Sequence, residues 1–329
     1  MTAISEPGAR AKRYSGFAVV LQRFGALGFF VALVIIAASS SPYFLTGLNL
    51  LNVLRNLAGD GIMAVGILFV ILTGRIDLSV GSIAALGSVL SAYLIAASGY
   101  SAPVAILLAV LSGVACGIVN GVFIAYLKWR SLFVSLAVML IVRQLSEITL
   151  SGRPIFLGAG GDSLETFSRS LLFGLPESFV FMLGAYLLGG IVLNYTRFGR
   201  LITAIGSNEE AVRLSGVAVS RYIVAVYVIC GALAAGAGVA ITGLIGGAGS
   251  AHTSYTVIFE AIAAVVTGGA GLRGGRAGVV TTLLGVLVVG CITNLMALAG
   301  VSMYWQPVCM VVIIAIALLI QYGARSLRR

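Results

Sequence analysis

The chain has 329 residues, of which 60% are hydrophobic and only 9% charged, against about 25% charge in a soluble domain. Its 20 Lys and Arg against 10 Asp and Glu give a formal net charge of +10, yet no contiguous basic and aromatic stripe exists to follow a phosphate backbone. Nucleic acid is therefore not an expected partner; the cations flank apolar runs, where they meet anionic lipid headgroups.

Residues 1–23 form a polar, basic segment. From residue 24 to 329 the pattern is that of one transmembrane domain, all-α and polytopic. At roughly 20 residues per crossing, the apolar runs predict ten membrane helices. They fall near Phe24–Ser40, Leu51–Thr73, Ser79–Ala97, Ala102–Leu127, Ser131–Leu150, Phe179–Tyr195, Tyr222–Ile245, Tyr255–Gly269, Gly278–Ala299 and Trp305–Tyr322. The first run ends on Ala37-Ala38-Ser39 and imitates a secretory signal, but a first helix in a multispanning chain reads as a retained anchor. The eighth run is short and bounded by glycine, which leaves a broken or half-buried helix as the alternative to a full span.

Orientation follows from the basic residues, which resist translocation. All but Arg55, Arg143, Arg153 and Arg169 lie in segments that alternate parity assigns to one side, so both termini are expected in the cytoplasm. The 151–177 loop is then external and the 196–221 loop internal, each long enough to have a role. Residues 1–23 become a cytoplasmic basic segment of a protein in the cell inner membrane.

No constellation supports catalysis. The cysteines Cys116, Cys230, Cys291 and Cys309 lie in apolar runs and read as small hydrophobes. His252 is the only histidine, so no histidine metal site is available, and neither a metal nor a cofactor is expected. Gly269-Ala-Gly271-Leu-Arg-Gly274 matches the dinucleotide fingerprint only formally, since no strand precedes it. The chain contains no phosphate-binding loop of the ATPase type, so any ATP hydrolysis belongs to other subunits.

Several positions stand out for binding or gating. Gly113, Gly117 and Gly121 recur every fourth residue and form a flat helix stripe for close packing. Asp77 and Ser79 open the third span, where an acid or hydroxyl can cap a first turn or take part in gating. Acids within apolar runs are costly and frequently functional, which singles out Asp60, Glu147 and Glu260; Glu147 also has Arg143 as its i−4 neighbour. A weak internal echo links Asp60 through Gly74-Arg75 to Val80 with Glu260 through Gly268-Gly269 to Gly278. Paired, interrupted hydrophobic segments of this kind point to a transport site.

The internal loop carries the sharpest pattern. Asn208 can cap the following helix, with Glu209 and Glu210 in its first turn and Gly216 at its end. Ala211, Leu214 and Val217 form an apolar face suited to a cleft on another protein, with an interfacial helix on lipid as the alternative. Glu209 and Arg213 lie one turn apart and can pair with each other or reach a partner's charges.

These residues resemble the membrane-spanning subunits of bacterial sugar-importing ABC transporters of the ribose type, over almost the whole chain from Leu50. The likeness rests on Ile76-Asp77-Leu78-Ser79-Val80-Gly81-Ser82, Gly206-Ser207-Asn208-Glu209-Glu210-Ala211 and Arg213-Leu214-Ser215-Gly216-Val217. Glu260-Ala261-Ile262-Ala263-Ala264-Val265-Val266 with Gly268-Gly269, and Gly274-Gly275-Arg276-Ala277-Gly278, add to it. The resemblance implies two permease subunits per transporter (a second copy or a paralogue), cytoplasmic ATP-binding subunits and an external solute-binding protein. It also implies that Asn208–Gly216, with Gly206 before it, is the coupling helix to the ATPase. Arg75 stands where the family usually has a second glycine, and Asn294-Leu295 replaces the usual Asn-Gly, which makes Asn294 a pathway candidate. The external stretch Gly246–Phe259 lacks the Pro and basic residue common there. These departures bear on the substrate, which in related permeases is a pentose, a hexose, a furanose signal or a branched-chain amino acid. The rival reading from the residues alone is a proton-coupled carrier relaying through Asp60, Glu147 or Glu260.

Overall fold

The computed structural model of the chain describes residues 16–249, 256–271, 274, 275, 277–302, 304–312 and 315, with side chains from residue 27 and, in the helix that starts at Thr256, from residue 259. The helices with both ends described are α1 (Gly16–Ser40), α2 (Gly47–Leu72), α3 (Val80–Ala96), α4 (Ala102–Ala125), α5 (Ser131–Leu150), α6 (Asp162–Arg169), α7 (Glu177–Tyr195), α8 (Arg197–Ser207), α9 (Glu209–Leu214), α10 (Val219–Ile245), α11 (Thr256–Thr267) and α12 (Val279–Leu298), and residues 306–312 are helical as well. Most of the basic segment 1–23 lies outside the described residues, as does half of the tenth expected span, Trp305–Tyr322, whose residues 306–312 are helical.

Among the described residues six helices are long and apolar enough to cross a membrane: α2, α4, α5, α7, α10 and α12. The described part of α1, Leu27–Ser40, and α3 are shorter apolar helices. The described residues of α11 number 12, a rise of about 18 Å against roughly 30 Å of hydrocarbon.

Helices α2 and α10 form the centre. α3 and α4 pack on α10, α7, α11 and α12 pack on α2, α5 packs on α3, and α1 leans on α12. The sequence explains the order. α2 is apolar all round from Gly61 to Leu72, and 78% of its membrane window is buried, as a helix without a polar face must be. α4, α5 and α7 bury only 28%, 33% and 28% of theirs, leaving one side of each open.

Close approach of α4 to α10 depends on three glycines. A Cβ at Gly113 would strike the Gly231 carbonyl, one at Gly117 the Tyr227 backbone, and one at Gly121 the Val224 backbone. Without a hydrophobic drive to distinguish lipid from protein, such backbone-to-backbone contact is what holds membrane helices together.

The 151–177 segment is ordered over one end of this bundle. Strand β1 (Ile155–Phe156) pairs antiparallel with β4 (Gly247–Ala248), tying the loop to the end of α10. Between them β2 (Leu171–Leu172) and β3 (Leu175–Pro176) form a hairpin. Its two turn residues, Phe173 at φ 57° and Gly174 at φ 80°, have the left-handed backbone that a two-residue hairpin requires. α6 lays Leu164 and Ser168 against α10, where the Ser168 hydroxyl donates to the Ala240 carbonyl at 3.2 Å.

Candidate functional site

The loop between α7 and α10 folds as two helices meeting at Asn208. Thr196 caps the first, its Oγ1 accepting from the Gly199 amide at 3.2 Å, and α8 buries Ile202 and Ile205 against the core. At Asn208 the backbone is extended, φ −160° and ψ 93°, and its Oδ1 accepts from the Ala211 amide at 3.0 Å. Asn208 thus satisfies one of the orphan donors of α9, and Glu209 and Glu210 stand in the first turn where the helix dipole favours acids. Gly216, at φ 83°, turns the chain out of the helix and into α10.

The side chains of α9 divide by face. Val212 is buried and anchors the helix, while Ala211 is exposed and Leu214 is 79% exposed. The expected face of Ala211, Leu214 and Val217 is therefore shorter by one residue. α9 stops at Leu214, and Val217, beyond Gly216, packs inward on the core. Leu214 thus stands outward on a helix held from behind by Val212.

The ion pairing also differs from the sequence expectation. Arg213 pairs with Glu210, one turn back on the exposed side, and not with Glu209. The Glu210 carboxylate raises the already high pKa of the Arg213 guanidinium further. Glu209 turns away from its own helix toward Arg75, with Nη2 to Oε2 at 2.8 Å, and the Lys128 ammonium stands 4.0 Å from its other oxygen. The reason is geometric: residue 209 begins the helix beside the turn that follows α2.

Three turns converge there. A Cβ at Gly206 would overlap the Leu72 carbonyl and crowd the Gly275 amide, and Gly274 lies against Gly74. The Gly275 amide donates to the Leu72 carbonyl at 3.0 Å. The ends of α2 and α8 and the turn before α12 are thus in backbone contact, with α9 leaving the same point.

The Ile76–Ser79 stretch is held by side chains from two other helices. Ser79 Oγ donates to Asp77 Oδ1 at 2.5 Å, the Ser79 amide donates to the same oxygen at 2.8 Å, and Asn120 Nδ2 donates to Ser79 Oγ at 2.7 Å. Tyr227 donates its hydroxyl proton to the Ile76 carbonyl at 3.2 Å. Burial pushes the Asp77 carboxyl above its usual range, and the two Ser79 bonds draw it part of the way back. Asp77 folds the turn ahead of α3 rather than capping its amides from the N-cap position, which belongs to Ser79.

The remaining pathway candidates fall in two groups. Asp60 of α2 and Glu260 of α11 lie within electrostatic reach of each other, and Tyr186 of α7 is within reach of Asp60. Among the described residues the Tyr186 hydroxyl has no hydrogen-bond partner. Asn294 is instead paired with Asn49, each amide donating to the other's oxygen at 3.0 and 2.9 Å. Asp60 with Glu260, and Gly74 with Gly274, thus juxtapose the two hydrophobic segments that echo each other in the sequence.

Sequence reasoning passed over Asn49, Asn120, Lys128, Tyr186 and Gly274 with Gly275 as partners of these groups. Asn120 carried a signal, being an amide inside an apolar run beside Gly121, where a polar side chain needs a partner. Lys128 and Arg75 carried none, because their meeting at Glu209 depends on three separated turns.

The chain is 41% identical over 304 residues to the ribose import permease of Bacillus subtilis, covering 92% of this chain and 93% of that protein. It is 37% identical over 293 residues to the ribose import permease of Escherichia coli, covering 88% and 90%. It is 33% identical over 327 residues to the L-arabinose ABC transporter permease of Azospirillum brasilense, covering 98% and 94%. No solved structure matches the chain significantly. The family described as the permease component of the branched-chain amino acid transport system matches residues 49–320, and the chain belongs to that family.

Proposed function

We propose that this chain is the membrane-spanning permease subunit of an ABC importer and that it forms the translocation pathway for a monosaccharide. The observation that carries the reading is the Asn208-capped helix α9, anchored by Val212 and presenting Leu214 outward, in a chain related over most of its length to sugar permeases. The protein is a multi-pass inner-membrane protein and not an enzyme; ATP hydrolysis resides on separate subunits. An external solute-binding protein delivers the sugar, and two permease subunits enclose the path between them.

In this reading Asn208–Gly216 is the coupling helix. Closure of the ATPase subunits displaces α9, and the glycine contacts at Gly74, Gly206, Gly274 and Gly275 pass the displacement to α2 and α12. The chain crosses the membrane ten times with both ends inside. Reporter fusions after Arg75, Arg130, Ser207 and Arg276 report cytoplasm, and those near Asp162 and Ser302 report the outside.

The energy source is the decisive test. Uptake of ribose or L-arabinose into vesicles holding the chain, its ATPase subunits and binding protein requires ATP and survives a protonophore. Uptake by the isolated chain under a pH gradient would overturn the reading and assign Asp60 and Glu260 to a proton relay.

A further inference from the structure

Beside α9 the structure holds a cavity of about 700 Å3 between the turn after α2, the turn joining α4 to α5, and the α8–α9 junction. Its wall carries Arg75, Lys128 and Arg130 against a single carboxylate, Glu209. Arg75 is spent on Glu209 at 2.8 Å, Lys128 reaches the same carboxylate only at 4.0 Å, and Arg130 has no carboxylate partner among the described residues. The wall therefore keeps an excess of positive charge. The N-terminus of α5 opens on the same space through Ser131, whose first-turn amides have no partner within the helix.

The rim says what kind of anion fits. Trp129, packed at a tilt against Phe123 with ring centroids 5.0 Å apart, is 57% exposed, and its neighbour Phe133 is 64% exposed. From there the exposed side continues along α4 and α5 through Val122 and Leu136, on two helices that bury a third or less of their membrane windows. A cationic hollow framed by aromatic side chains at the end of apolar helices with an exposed side has the chemistry of a phospholipid site: cations for the phosphate, a ring at headgroup level, apolar surface for the acyl chains. A docking protein would leave that apolar continuation unexplained.

We propose that this cavity binds the phosphodiester headgroup of an anionic phospholipid, with Lys128 and Arg130 on the phosphate, Trp129 at its side and the acyl chains along α4 and α5. The site stands on the cavity and the membrane face alone, whatever drives transport. Its position gives it a consequence, because a phosphate here competes with Glu209 for Lys128 and so touches the pairing that holds the first residue of α9.

The full chain carrying Trp305→Phe keeps Trp129 as its sole tryptophan, since the sequence has two. In vesicles, brominated phosphatidylglycerol quenches Trp129 about fivefold more effectively than brominated phosphatidylcholine at equal fraction, because phosphatidylglycerol's net charge is drawn to the cations. Lys128→Gln with Arg130→Gln reduces that preference to about one. Equal quenching by the two lipids in the Trp305→Phe chain would overturn the proposal and leave the cavity to a protein side chain. Inorganic phosphate is the control for a free ion: if millimolar phosphate abolished the preference, the cavity would be an ion site and not a lipid site. The lipid comparison in the otherwise unaltered chain keeps the test valid even if the double variant misfolds.

Discussion

The Arg75 guanidinium lies 2.8 Å from the Glu209 carboxylate, joining the turn after α2 to the first residue of α9. Arg75 also donates to the Thr73 carbonyl at 3.0 Å, so its side chain is fixed at both ends of the turn. Arg75 therefore grips the helix proposed for coupling. The pair has side-chain exposures of 15% and 36%, and solvent screening holds its share of stability to about 1 kcal/mol or less. Its value lies in alignment. Arg75→Glu lowers ATP-driven uptake severalfold with little change in melting temperature, and adding Glu209→Arg restores most of it. Uptake that is unchanged in Arg75→Glu would remove the pair from coupling.

Leu214 makes a separate prediction because it has so little to do inside the subunit. At 79% exposure, Leu214→Asp leaves the permease folded and inserted. In a complex the same leucine is buried, and losing that burial costs about 1.5–3 kcal/mol, with a further penalty for an unpaired charge. The ATPase subunits fail to co-purify with this variant and uptake is lost. A large charged residue at the exposed Ala211 acts the same way. Normal ATPase recovery with Leu214→Asp would show that α9 is not the docking element.

The glycine stripe predicts stability rather than coupling. Gly117→Val drives a side chain into the Tyr227 backbone and separates α4 from α10, at a cost of about 1–3 kcal/mol or more. Gly184→Ala on α7 is the matched control, since a Cβ there meets nothing within 4 Å. Thermal unfolding in detergent should show a lowered midpoint for the first and an unchanged one for the second.

Asn49 and Asn294 exchange two hydrogen bonds between α2 and α12, and their energies couple. Asn294→Leu leaves the Asn49 amide with its Phe44 bond alone and destabilises by about 1 kcal/mol. The double Asn49→Leu, Asn294→Leu variant costs less than the sum of the two single changes, which a double-mutant cycle on unfolding midpoints measures. Additive losses would mean the amides act independently, and a specific loss of sugar uptake without destabilisation would assign Asn294 to the pathway.

Membrane residence, the long spans, the close-packing glycine stripe and the capped internal helix were all written in local pattern. Apolar run length, glycine spacing and Asn208 followed by two acids each act within a few turns of chain, so no tertiary information is needed to read them. Which of the charged residues meet was a different matter. Glu209 could equally have paired with Arg213 on its own helix, and only the convergence of the turns after α2, after α4 and before α9 brings Arg75 and Lys128 to it. The same holds for the approach of Asp60 to Glu260 and of Asn49 to Asn294, and for the ordering of 151–177 by pairing β1 with β4. Local preference is decided by a residue and its near neighbours, whereas long-range pairing depends on how the glycine contacts let separate helices approach.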